Sequence, residues 1–171
     1  SGQYRPGSVI DTHPGHFRVG KKTYLDPVNY GQIDITKIIT KSSQVGMSKL
    51  ALSLDAELIR DMYFRLGLGQ ATGTGFPGES TGTLPNYGRW HPVVHASYAF
   101  GYGLSLTPLQ LAQAYSVIAD EGMRKPVSLL RLEEPAIKES VVDARFTGQV
   151  MAMLETVIKK GGTATRANLR S

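Results

Sequence analysis

The sequence predicts an α+β fold that is mostly helical, and three observations predict it. Apolar residues recur at three- and four-residue spacing in several stretches, short β-leaning runs lie between turn signals near the start, and a strong capping sequence opens a helix at Thr107. A chain of 171 residues that is 41% hydrophobic and 19% charged is expected to form a single domain, 1–171, with its own core.

The first thirty residues hold the turn signals Pro6-Gly7, Pro14-Gly15 and Asp26-Pro27, with strands predicted at His16 to Val19 and Lys22 to Leu25. From Ile35 the period becomes helical, with Ile35, Ile38 and Ile39 on one face and Asp34 as N-cap. Ser42 to Gly46 interrupts that period, and a second helix is predicted from about Met47 to Leu54. Asp55 then caps a third helix with Leu58, Ile59, Met62 and Leu66 as its apolar stripe and Gly67 as its end. Gly67 to Gly103 is rich in Gly and Pro and is expected to be irregular.

Thr107-Pro108-Leu109-Gln110 combines an N-cap, a first-turn proline and the glutamine of a capping box. The helix it opens, with Leu111, Ala112, Tyr115, Val117 and Ile118, is expected to be largely buried and to close at Gly122. Pro126 to Leu132 reads as a strand. A last helix is predicted from Asp143 to Lys159, carrying Phe146, Val150, Met153, Leu154 and Val157 on one face.

Several function classes can be set aside. The chain has no cysteine, which removes disulfides and cysteine-based zinc sites. Its net charge of +5 is spread along the chain rather than gathered into a tail, so nucleic acid is not an expected partner. No apolar run reaches the ~18 residues of a membrane span. His13-x-x-His16 and His91-x-x-x-His95 each enclose a proline and read as ordinary histidines; no metal or other cofactor is expected. Gly73-Thr74-Gly75-Phe76-Pro77-Gly78 matches G-x-G-x-x-G in letters, but it follows a helix and contains a proline, whereas a dinucleotide loop follows a strand and opens a helix.

The stretch that invites chemistry is Thr40-Lys41-Ser42-Ser43-Gln44-Val45-Gly46, where two hydroxyls and an amide sit between amphipathic helices beside a lysine. Taken alone it reads as a capped helix junction. Taken with its surroundings, Lys41 to Ala51 resembles the K-S-S-N-V-G-x-S-K-L-A segment of class B penicillin-binding proteins, the peptidoglycan D,D-transpeptidases. Gly67-Leu68-Gly69, Gly75-Phe76-Pro77-Gly78-Glu79 and the run Phe100-Gly101-Tyr102-Gly103 through Thr107-Pro108-Leu109-Gln110-Leu111-Ala112 follow in the family's order. The likeness covers nearly the whole chain and is strongest to the division-specific branch, penicillin-binding protein 3. It implies part of the penicillin-binding transpeptidase (serine β-lactamase-like) fold, chiefly its helical subdomain.

That family's chemistry uses a nucleophilic serine with lysine three residues on, an S-x-N motif that relays a proton and holds the substrate amide, and a K-T-G strand beside the substrate. No serine here has lysine at that spacing, and K-T-G is missing; Lys160-Gly161-Gly162-Thr163 resembles the glycine-rich loop that precedes the K-T-G strand. The chain is therefore expected to be an internal fragment of a transpeptidase domain, lacking the S-x-x-K and K-T-G segments and inactive alone. By resemblance Ser42 is the proton-relay serine of the S-x-N-like motif, and Gln44 takes the place of its asparagine. Glutamine keeps the amide but moves it by ~1.5 Å and adds a rotamer worth ~1 kcal/mol to freeze. Phe100 and Tyr102 match aromatic positions near the family's acyl pocket and read equally well as core packing.

The resemblance implies a parent protein at the periplasmic face of the bacterial inner membrane, anchored by an N-terminal helix outside this chain. It would cross-link stem peptides in septal wall synthesis through an acyl-serine intermediate, with peptidoglycan stem peptides, β-lactam antibiotics and other divisome proteins as its partners. The alternative is a non-catalytic cell-wall or partner-binding module with the same fold.

Overall fold

The computed structural model describes residues 2–85, 90–134 and 136–167. They form two compact units, each assembled from separate stretches of chain: one from 2–59, 90–103 and 152–167, the other from 60–85, 104–134 and 136–151.

In the first unit β1 (Val9–Asp11) pairs antiparallel with β4 (Gln32–Asp34), and β2 (His16–Val19) pairs with β3 (Lys22–Leu25), the last two at the predicted positions. Alternation turns Phe17, Val19, Lys22 and Tyr24 to the inner face of the second ribbon and leaves His16, Arg18, Thr23 and Leu25 exposed. Asp34 ends β4 and caps α1 (Ile35–Lys41) as predicted, accepting the Lys37 N–H at 2.7 Å. α2 (Gln44–Leu52) begins three residues before the predicted start, because Ser43 is its N-cap rather than an interruption. Ser43 Oγ accepts the Gly46 N–H at 2.9 Å.

A further helix, α4 (Pro92–Tyr98), lies within the stretch expected to be irregular. Pro92 stands in its first turn, where the missing N–H has no intrahelical partner to lose, so it starts the helix instead of barring it. α2 packs against α1, β1, β3 and α4. Val19, Tyr24 and Ala96 form the core here, flanked by Phe17, Leu52 and Val93. The buried Tyr24 hydroxyl donates to the Val93 carbonyl at 3.0 Å and lies 2.9 Å from Ser97 Oγ, so its polar end is satisfied. Burial pushes the His95 imidazole below its ordinary pKa, the nearby Asp55 carboxylate opposing, and the ring lies edge-on to Trp90. α1 and α2 approach closely at Gly46: a methyl group there would stand 2.7 Å from Ile38 Cγ1 and 3.0 Å from Ser43 Oγ.

α3 (Ala56–Arg65) follows Asp55, whose carboxylate accepts the Glu57 N–H at 3.0 Å. None of its residues is fully buried, and Leu58 of the predicted stripe is exposed. Its end at Gly67 is as predicted: the Gly67 and Leu68 N–H groups fold back onto the Phe64 and Tyr63 carbonyls at 2.9 and 3.0 Å. In the second unit α5 (Pro108–Ala119) opens with the predicted capping box. Gln110 does more than cap, since its buried amide also donates to the Gln70 and Thr81 carbonyls at 2.7 Å each. This corrects the expected burial: α5 turns Gln110, Gln113, Ala114 and Val117 inward and leaves Leu111 and Tyr115 exposed. Loop carbonyls that need donors select the glutamine face over the apolar one.

The predicted strand at Pro126 to Leu132 does not form; β5 (Met123–Arg124) pairs instead with β6 (Glu139–Ser140). Ser128 Oγ accepts the Leu130 N–H and also reaches the Leu130 carbonyl, a local pairing that competes with a ladder. α6 (Ala144–Glu155) stops four residues before Lys159, with the Thr156 and Val157 N–H groups tightening onto Met153 and Leu154 carbonyls. Gly162 then crosses so close to the Val157 carbonyl that a Cβ would stand 2.0 Å from its oxygen. Glu79 braces the loop after α3, accepting the Thr72 N–H at 2.8 Å and the Thr72 and Thr74 hydroxyls at 2.6 and 2.7 Å. These bonds, the Thr72 hydroxyl first, hold the Glu79 carboxyl below its ordinary value of 4.5.

Two outcomes follow from this packing. Gly46→Ala lowers unfolding stability by about 1–3 kcal/mol in urea denaturation, whereas helix propensity alone would raise it by ~1 kcal/mol. Because the folded pKa of Glu79 is depressed, its bracing is complete above the ordinary glutamate value and is lost as pH falls through the folded one. The hydrogen-exchange protection of the Thr72 amide is thus flat above about pH 4.5 and falls below it, and Glu79→Gln lowers it at every pH; protection indifferent to both would contradict the bracing.

Candidate active site

The site grows from the end of α1. Ser42 lies in the left-handed region, φ 53° and ψ 43°, and the Ser42 and Ser43 N–H groups bond the Ile39 and Ile38 carbonyls at 3.1 and 2.9 Å. A non-glycine residue held there costs about 1–2 kcal/mol, so the conformation needs support. It comes from Asp26, just after β3. Ser43 Oγ–H donates to Asp26 Oδ2 at 2.6 Å while the same oxygen accepts from Gly46, and the Val45 N–H donates to Asp26 Oδ1 at 3.1 Å. A carboxylate at the start of a helix meets free N–H groups and the positive end of the helix dipole.

Ser43 is thereby buried and committed to structure, and Ser42 and Gln44 on either side of it are exposed. The Ser42 hydroxyl lies 3.2 Å from Thr163 Oγ1, and Lys41 Nζ donates to the Gly161 carbonyl at 2.7 Å. One residue before Lys41, Thr40 Oγ1 meets Thr156 Oγ1. The glycine-rich segment picked out at Lys160 to Thr163 is therefore docked along the last turn of α1, and its close crossing at Gly162 allows this. The Gln44 side-chain amide makes no hydrogen bond among the described residues.

Phe100 and Tyr102 form a second group, past the end of α4. The Phe100 ring stands edge-on to Tyr24 at 5.6 Å and is 38% exposed, whereas Tyr102 is 67% exposed. Phe100 thus serves packing in part, and Tyr102 is largely open. The Gly101 and Tyr102 N–H groups bond the Tyr98 and Ser97 carbonyls, which fixes the loop. Lys22 Nζ lies 4.2 Å from the Tyr102 ring centroid and donates to Ser97 Oγ at 3.1 Å. No hydrogen bond or ring contact joins Ser42 or Gln44 to Phe100 or Tyr102 among the described residues; α2, which starts at Gln44 and packs on both β3 and α4, is the element they share.

Asp26, Thr163 and Lys22 were not singled out as site residues from the sequence. Asp26 reads there only as half of an Asp-Pro turn, and its partner lies seventeen residues on. Among the described residues no three His, Asp or Glu side chains gather as a metal site would require; His13 instead pairs with Asp11 at 2.8 Å. Since Asp26 holds two groups of α2, Asp26→Ala costs about 1–3 kcal/mol of stability and accelerates hydrogen exchange at Val45. Asp34→Ala, which removes one ordinary cap from α1, costs ~1 kcal/mol and leaves Val45 unchanged; an effect of Asp34→Ala at Val45 equal to that of Asp26→Ala would contradict the assignment.

Comparison with known proteins gives the geometry its setting. Residues 1–170 match the family model described as the penicillin binding protein transpeptidase domain. The chain is 37% identical over 169 residues to the peptidoglycan D,D-transpeptidase FtsI of Escherichia coli K12, covering 99% of this chain and 28% of the relative. It is 36% identical over 156 residues to the probable peptidoglycan D,D-transpeptidase PenA of Neisseria meningitidis, covering 91% and 26%. Among solved structures, the transpeptidase domain of Burkholderia pseudomallei penicillin-binding protein 3 superposes with a TM-score of 0.92 at 32% identity, over 98% of this chain and 51% of that one. The chain thus spans little more than a quarter of the curated relatives it matches. It is α+β and mostly helical, has the penicillin-binding transpeptidase fold over about half the length of those solved domains, and belongs to the penicillin-binding protein transpeptidase domain family.

Proposed function

We propose that this chain supplies the proton-relay part of a peptidoglycan D,D-transpeptidase, with Ser42 as the relay. The observation that carries the reading is the placement of Ser42: its hydroxyl is exposed at a braced left-handed turn, between Lys41 and the Thr163 hydroxyl. A hydroxyl so held can accept a proton on one lone pair while donating its own. In the reaction, a serine from the flanking S-x-x-K segment attacks the carbonyl between the two D-alanines of a stem peptide. The leaving amine takes a proton through Ser42, and the acyl-serine is then passed to the amine of a second stem peptide. β-Lactams acylate the same serine. Gln44 offers its free amide to the peptide, and Phe100 and Tyr102 line the acyl side.

The likeness to FtsI supports a septal role at the periplasmic face of the inner membrane, with other divisome proteins as neighbours. No helix among the described residues is long and apolar enough to cross a membrane.

Intact-mass spectrometry after incubation with a β-lactam tests this. The longer protein gains one adduct, and the 171-residue chain gains none. Ser42→Ala in the longer protein slows acylation by about 10²-fold, and Gln44→Asn changes it by less than about fivefold, since the amide is kept. Acylation of neither version favours the non-catalytic wall-binding module, and an adduct on the short chain would show that the nucleophile lies within it.

A further inference from the structure

We propose that Lys22 is a positioning residue for the acyl-side wall: its ammonium clasps the Tyr102 ring and so sets where that ring stands. The inference rests on the reading of Tyr102 given above. Three observations converge on it. First, Lys22 Nζ sits 4.2 Å from the Tyr102 centroid and 5.2 Å from the Tyr24 centroid, within the range at which a cation is drawn to an aromatic face. Second, among the described residues the ammonium makes no ion pair; its hydrogen bond goes to Ser97 Oγ at 3.1 Å. With no carboxylate to neutralise it, the cation's attraction is directed to the two rings.

Third, the anchor is rigid and the target is not. Ser97 Oγ is tied to the Val93 carbonyl at 2.8 Å and to the Tyr24 hydroxyl, inside the core. Tyr102 is 67% exposed and is held through its backbone at Ser97. Its ring therefore has few neighbours to fix its rotamer, and Lys22 is the charged one. The β2–β3 ribbon supplies the reach, because its alternation turns Lys22 to the same face as the buried Tyr24.

The test is a double-mutant cycle on β-lactam acylation of the full-length protein, resolved into an encounter dissociation constant and an acylation rate constant. Lys22→Met keeps the stem and removes the charge. It weakens the encounter by about threefold to tenfold, leaves the rate constant unchanged, and has no effect in a Tyr102→Leu background. Lys22→Arg restores the encounter. In the 171-residue chain, the Lys22 ε-methylene protons are shifted upfield by ring current, and Tyr102→Leu removes the part that Tyr102 supplies. Equal losses from Lys22→Met with and without Tyr102, no loss at all, or a methylene shift indifferent to Tyr102→Leu overturns the proposal. A wild-type rate for Ser42→Ala overturns the relay reading instead and leaves the Lys22–Tyr102 coupling measurable.

Discussion

Much of the first unit depends on where the carboxylate of Asp26 meets the start of α2. The contact couples the end of a ribbon to the beginning of a helix across seventeen residues, through one hydroxyl and one backbone N–H. Because Ser43 is held on both sides, accepting from Gly46 and donating to Asp26, α1 can end and α2 begin with only two residues between them. The left-handed conformation of Ser42, the C-cap of α1, belongs to that short junction. A local strain of about 1–2 kcal/mol is offset by charge-assisted bonds in a part-buried setting, each worth about 1.5–3 kcal/mol. What the fold gains is a serine hydroxyl that points out of the turn while its neighbour stays inside.

Once α2 is fixed, the rest of the site follows from packing. Gly46 lets α1 approach, and the α1 end receives the glycine-rich segment through Lys41 and Ser42. On its other sides α2 meets β3 and α4, which carry Lys22, Tyr24 and Ser97. The polar turn and the aromatic group therefore share one helix as support. Gln44, which the resemblance puts in the place of the motif's asparagine, stands exposed in the first turn of α2.

The parts of this arrangement that were legible in the sequence are those governed by neighbours along the chain. The Asp34 cap, the capping box at Thr107, the β2 and β3 runs and the Gly67 terminus involve partners within a few residues, and each formed as read. The misreadings have a common source in residues with two local uses. Ser43 was read as a break and Pro92 as part of an irregular stretch, and both act as helix starts; Gln110 was read only as the glutamine of a capping box, and it is also buried, like Gln113, to satisfy loop carbonyls. The stretch from Pro126 had strand-like residues and no ladder to join. At the candidate site, Ser42 could be proposed from sequence because its motif is contiguous. Asp26 and Lys22 were not, since their partners are brought near only by tertiary packing, Tyr102 lying eighty residues beyond Lys22 in the chain.

In the proposed function the braced turn presents Ser42 to the reacting groups of a transpeptidase. A crystal structure of the full-length protein acylated by a β-lactam tests it most directly. Ser42 Oγ is expected within about 3.5 Å of a polar atom of the acyl adduct or of the nucleophile's lysine, with the Asp26–Ser43 bond intact. An adduct that leaves Ser42 bonded to Thr163 alone, out of reach of the reacting atoms, would contradict it.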